Sequence, residues 1–115
     1  MRFHKTKFKG LEVIEGKIFY DPRGYFREVY EKKKLKKHRP IFWCMSKSKK
    51  NVLRGLHLQT KKMQEKFVSV IKGRILDVVV DLRTKSKTFG KYFQITLSDK
   101  NSKSLLIRAG FAHGF

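Results

Sequence analysis

From Phe67 onward the chain is a succession of short apolar runs, each cut off by a turn signal before it reaches helical length. Phe67 to Ile71 is stopped by Lys72-Gly73-Arg74, and Ile75 to Asp81 (ILDVVVD) is rich in β-branched residues. Tyr92 to Leu97 alternates, with Tyr92, Gln94 and Thr96 on one face and Phe93, Ile95 and Leu97 on the other. Ser98 to Lys103 is a further turn cluster, leading into Leu105 to Ile107. Strands at this spacing indicate an all-β sandwich or barrel. The first two runs flank a glycine turn and are expected to pair as a hairpin, and Asp21-Pro22-Arg23-Gly24 is a turn by its Pro and Gly positions. One segment has helical character, the charged stretch from Tyr30 to Lys37, which ends before Pro40.

At 115 residues the chain is expected to form one domain, residues 1–115, and a multidomain enzyme is excluded. Hydrophobic residues make up 40%, with ten Phe, which argues for a folded core rather than disorder. Lys and Arg number 29 against 9 Asp and Glu, a formal net charge of +20. That balance suits nucleic acid, an anionic membrane surface or a phosphorylated small substrate, and composition does not separate them. The lysines are scattered, densest from Lys32 to Lys37, which favours a solvated basic surface over a dedicated patch. Cys44, the single cysteine, excludes an intramolecular disulfide and a cysteine zinc site. A reducing, cytoplasmic setting is therefore expected. No apolar run is long enough for a signal peptide or a membrane span, so no membrane partner is expected.

Chemistry centres on the histidines. His4 and His38 lie in lysine-rich, polar surroundings and read as surface residues. His57 follows Arg54 and Gly55 in Leu53-Arg54-Gly55-Leu56-His57-Leu58-Gln59. On a regular strand Arg54 and His57 face opposite ways, unless a bulge at Gly55 rotates them, and their convergence stays open. His113 sits in Gly110-Phe111-Ala112-His113-Gly114-Phe115, a close-packed segment suited to lining a cavity. Residue pattern alone does not separate a core histidine from a catalyst at either position. There is no His-x-His pair with a carboxylate at metal-ligand spacing, no Gly-rich phosphate loop and no Gly-x-Ser-x-Gly, so neither metal nor cofactor is expected.

Taken in order, four motifs resemble the dTDP-4-dehydrorhamnose 3,5-epimerase family. They are Asp21-Pro22-Arg23-Gly24-Tyr25-Phe26-Arg27-Glu28, Val52 to Gln59, Ile75 to Arg83, and Gly110 to Phe115. Gly10 to Gly16 and Lys87 to Lys91 are similar to the family's connecting segments as well, so the resemblance spans essentially the whole chain.

The resemblance implies a cupin-type jelly roll, a homodimer, no metal, and epimerisation at C3 and C5 of a dTDP-4-keto-6-deoxyhexose on the way to dTDP-L-rhamnose. A ketone at C4 acidifies the protons on both neighbouring carbons. The reaction then needs a base near neutrality, a cation for the enolate oxygen and an acid on the opposite face. By motif match His57 takes the role of base and Lys66 that of the substrate-contacting lysine that holds the enolate oxygen. Arg23, Phe26, Glu28 and Arg54 match substrate-binding positions, and Asp77 and His113 match a further polar pair in the pocket, His113 touching substrate.

The sequence departs from the family pattern in two ways. Phe42, Trp43 and Cys44 stand where the family usually has Gln-Asp-Asn, while Ser46 and Ser48 fall where its serines do. An aromatic can stack on a base but cannot hydrogen-bond in its plane, which bears on nucleotide specificity. Arg108 also replaces a proline. Second, the chain reads as a jelly roll without its C-terminal strands, where the family carries its tyrosine acid and the aspartate partner of the base. On that reading the isolated chain is expected to be weakly active or inactive. Two other readings stay in view: a non-catalytic sugar-nucleotide-binding cupin, and a basic β-barrel that binds nucleic acid, against which the ordered motifs weigh.

Overall fold

The computed structural model describes residues 1–35, 38 and 40–115. In chain order the elements are β1 (Arg2–Lys5), β2 (Leu11–Glu15), β3 (Ile18–Asp21), β4 (Gly24–Arg27), α1 (Lys32–Leu35), β5 (Lys66–Ser69), β6 (Arg74–Asp81), β7 (Tyr92–Ser98), β8 (Lys103–Ile107) and β9 (Phe111–Gly114). They form a four-stranded sheet in the order β1-β2-β8-β5, a three-stranded sheet in the order β7-β6-β9, and the separate two-stranded ribbon β3-β4.

The two larger sheets face one another across a single apolar layer. Leu11, Val13, Leu105 and Ile107 come from the first, Val79, Leu97 and Phe111 from the second, joined by Phe8 and Val70, and all are buried. Leu97 and Leu105 are fully enclosed, and each such leucine contributes about 1.5–3 kcal/mol. The alternation read in Tyr92 to Leu97 holds: Tyr92, Gln94 and Thr96 are exposed, while Phe93, Ile95 and Leu97 pack on this layer. A smaller cluster of Ile14, Leu35 and Leu106 lies on the outer face of the four-stranded sheet, with Tyr30 and Phe67 against it.

The expected hairpin of Phe67 to Ile71 with Ile75 to Asp81 does not form. β5 pairs with β8, and β6 pairs with β7 and β9 in the other sheet. Both runs bury their apolar residues in the same layer, Val68 and Val79 from opposite sides, so they meet face to face rather than edge to edge. The glycine turn is a corner between sheets, with Gly73 at φ +89° and the Asp99 N–H donating to the Gly73 carbonyl. The helical segment is confined to α1. Its Leu35 is buried and Lys34 pairs with Glu31 at 2.6 Å, while Lys36 and Lys37 lie outside the described residues. Among the described residues no helix is long and apolar enough to cross a membrane.

Candidate functional site

β6 turns an unusual face inward. Asp77, Val79 and Asp81 are all fully buried, so an apolar strand carries two carboxylates into the core. Asp77 meets β9: His113 sits opposite Val79 in the ladder, and its Nε2 lies 2.8 Å from Asp77 Oδ2. Both side chains are buried, and among the described residues Asp77 Oδ1 has no hydrogen-bond partner. Burial pushes the Asp77 carboxyl up from its ordinary value, and the hydrogen bond and charge of His113 offset this only in part. Asp81 is the reverse case. Burial would push it up too, but Arg83 Nε and Nη2, Ser86 Oγ and Thr88 Oγ1 donate to it at 2.6–2.8 Å and hold it well below the usual carboxylate range. The Arg83 guanidinium also lies 4.2 Å from the centre of the Phe111 ring.

The segment around His57 is not a strand in its own right but is pinned to β9 at two points. Arg54 exchanges backbone hydrogen bonds with Phe115 at 2.7 and 2.9 Å, and His57 exchanges them with His113 at 2.9 and 3.0 Å. Two residues, Gly55 and Leu56, therefore stand opposite the single residue Gly114, which is a β-bulge. The extra residue reverses the alternation, so Arg54 and His57 reach the same cleft. Gly55 makes it possible: its φ is +118°, and a Cβ there would come within 2.6 Å of Gly114 Cα and 2.7 Å of the His113 carbonyl oxygen.

That cleft, about 530 Å³, is lined by Ser46, Leu53, Arg54, Gly55, His57, Lys66, His113 and Phe115. Four of the eight residues singled out in the sequence, Arg54, His57, Lys66 and His113, thus converge, with Asp77 behind them on His113. Lys66 opens β5 and is half-buried; His57 is exposed. Arg54 is steadied by Nε donating to Ser48 Oγ at 2.9 Å and Nη2 to the Lys47 carbonyl at 3.3 Å. Among the described residues the lining holds a guanidinium, an ammonium and two imidazoles and no acidic side chain, a combination suited to an anionic ligand with a proton-labile centre. Among the described residues no three His, Cys, Asp or Glu side chains gather as a metal site.

Arg23, Phe26 and Glu28 are not brought to this cleft. Arg23 lies at the tip of β3-β4, its guanidinium 2.7 Å from Asp21 Oδ2 and its side chain 90% exposed. Phe26 and Glu28 line a second cleft of about 530 Å³ with Arg27, Val29, Tyr30, Glu31 and Trp43. Glu28 Oε2 stands 3.9 Å from the N-terminal amine and 3.7 Å from Lys34 Nζ. Trp43 packs edge-on against Tyr30, ring centres 5.3 Å apart, whereas Phe42 is 78% exposed and lines neither cleft. Arg27 and Phe115 also line the two clefts, although nothing in the residue pattern around either singles it out in the sequence.

Known proteins match this chain along its length. The family described as dTDP-4-dehydrorhamnose 3,5-epimerase matches residues 5–115. The dTDP-4-dehydrorhamnose 3,5-epimerase of Methanothermobacter thermautotrophicus is 43% identical over 99% of this chain and 64% of its own length. That of Salmonella typhimurium is 42% identical over 96% of this chain and, again, 64% of the relative. The crystal structure of dTDP-6-deoxy-D-glucose-3,5-epimerase from Legionella pneumophila in complex with dTDP-4-keto-L-rhamnose superposes with a TM-score of 0.93 at 40% identity, covering 99% of this chain and 63% of that one. The chain thus spans just under two-thirds of the length of these relatives, and its fold is their all-β, cupin-type jelly roll.

Proposed function

The chain belongs to the dTDP-4-dehydrorhamnose 3,5-epimerase family, and we propose that it epimerises a dTDP-4-keto-6-deoxyhexose by removing and returning the protons next to the ketone. The observation that carries this reading is the convergence of Arg54, His57, Lys66 and His113 on one cleft through the bulge at Gly55. His57 takes the proton from one face as general base, and water delivers a proton to the opposite face of the enolate, which completes the inversion. Lys66 offers its ammonium to the oxygen that becomes negative as the enolate forms, a charge developed only on the way to the transition state. Arg54, held by Ser48, grips the diphosphate as a two-pronged donor. His113, oriented by Asp77, contacts the sugar.

We place Arg23, Phe26 and Glu28 on the nucleotide. Their separation from the His57 cleft fits a homodimer in which the β3-β4 ribbon of one copy faces the cleft of the other. The ribbon pairs with neither larger sheet and leaves Phe19, Tyr20, Tyr25 and Phe26 each at least half exposed, an apolar surface suited to a second copy. A cytoplasmic location goes with a sugar-nucleotide substrate.

The deciding experiment incubates the chain with dTDP-4-keto-6-deoxyglucose in deuterated water and follows the C3 and C5 protons by NMR. Slow incorporation of deuterium at those carbons is the expected result. A second reading, sugar-nucleotide binding without turnover, rests on one observation: among the described residues the His57 imidazole has no hydrogen-bond or ion-pair partner to set its tautomer. It predicts dTDP binding by calorimetry with both protons retained.

A further inference from the structure

We propose that Arg27 is a positioning residue: its guanidinium locks the β3-β4 ribbon onto the seam between the two sheets and thereby aims Phe26 and Glu28. The inference rests on the nucleotide role given above to those two residues, while its geometry is independent of that role.

The ribbon forms no ladder with either larger sheet. At its base, the Gly16 N–H donates to the Ser102 carbonyl at 2.9 Å, which holds the incoming strand. After the ribbon, Tyr30 and Leu35 pack into the outer apolar cluster. Between these two anchors, among the described residues, the hydrogen bonds from residues 18–27 to the rest of the chain all come from one side chain.

Arg27 Nη1 donates to the carbonyls of Ser98 and Asp99 at 3.4 and 3.2 Å, and Nη2 donates to Ser69 Oγ at 3.0 Å and the Val70 carbonyl at 2.9 Å. Ser69 ends β5 in the four-stranded sheet and Val70 follows it, whereas Ser98 ends β7 in the three-stranded one and Asp99 follows it. One rigid fork therefore spans the junction of the two sheets with charge-assisted bonds, which are roughly twice as strong as neutral ones. A lysine has the charge but not the fork. Phe26 precedes Arg27 in β4 and Glu28 follows it directly, so the side chain that grips the body fixes where its two neighbours sit beside the second cleft.

The test compares the whole chain with Arg27→Lys, Arg27→Gln and Ser69→Ala, reading backbone amide exchange by NMR and affinity for dTDP by calorimetry. Both Arg27 variants are expected to speed exchange of the Phe19 to Phe26 amides about tenfold, with Val78 to Val80 in β6 unchanged, and to weaken dTDP binding by a similar factor. Ser69→Ala removes one acceptor and gives a smaller change in the same direction; it decides the matter if Arg27→Gln does not fold. Full retention of ribbon protection in Arg27→Lys, or equal loss of protection in β6 and the ribbon, overturns the proposal. Should the wild-type chain not bind dTDP, the functional reading fails, and the exchange pattern still tells whether Arg27 holds the ribbon.

Discussion

His113 Nε2 and Asp77 Oδ2 are 2.8 Å apart in the core, and among the described residues the other oxygen of the same carboxylate has no partner. A buried carboxylate satisfied on one side only is held up from its ordinary pKa of 3.8, mainly by burial. The folded state therefore takes a proton on Asp77 more readily than the unfolded chain does. Its contribution to stability is most favourable below pH 3.8 and is lost as pH rises through the folded value. Urea unfolding of the wild type and Asp77→Asn at pH 4 to 8 measures this: the stability of the wild type relative to the variant should fall with rising pH. A difference that stays flat across the range contradicts it.

Four residues further along β6, Asp81 is equally enclosed and behaves in the opposite way. Arg83, Ser86 and Thr88 donate to it, and its pKa is lowered, so its stabilisation is present above 3.8 and is lost as pH falls through the lower folded value. Replacing it by Asn keeps the shape but removes the charge that pairs with Arg83. A loss of about 2–3 kcal/mol is expected at pH 7, shrinking as the pH is taken towards 2. The same denaturant series measures it, and an undiminished loss at the acid end argues against the ionic account.

Gly55→Ala tests the bulge. A methyl group there would press on Gly114 Cα and the His113 carbonyl oxygen, at a φ of +118° that an L side chain rarely adopts. We expect about 1–3 kcal/mol of destabilisation, loss of amide protection at His57 and His113, and at least tenfold weaker dTDP binding. Normal affinity in a variant that has lost the two protected amides would show that Arg54 and His57 need no bulge to meet.

The sequence disclosed β7 well because a strand with one face in a core must alternate, and Tyr92 to Leu97 does so without exception. Lys72-Gly73-Arg74 was legible as a chain reversal but misleading as a hairpin, since a turn signal does not say whether the next strand joins the same sheet or the facing one. The side of the chain on which His57 lies could not be read at all. Gly55 permits a bulge, but two-for-one pairing is defined only by the partners, Phe115 and His113, more than fifty residues away in the chain. Likewise the motif around Arg23, Phe26 and Glu28 carries no distance, and the structure places it away from the cleft of Arg54 and His57, with which the family resemblance grouped it.

The roles proposed for Arg54 and His57 separate binding from proton transfer, and two substitutions should do the same. Arg54→Lys keeps a positive charge but replaces the planar fork, now held by Ser48 Oγ and the Lys47 carbonyl, with a single ammonium. Affinity for dTDP should fall about tenfold, with deuterium exchange per bound substrate little changed. His57→Gln keeps a polar side chain of similar reach but cannot take a proton near neutral pH. It should lower exchange at C3 and C5 by about 10²–10⁴ and leave dTDP affinity within about twofold, because the base acts on the sugar and not on the nucleotide. Calorimetry with dTDP and NMR of the deuterated product, run on the same preparations, give both numbers. If His57→Gln loses affinity while Arg54→Lys loses exchange, the two roles must be reversed.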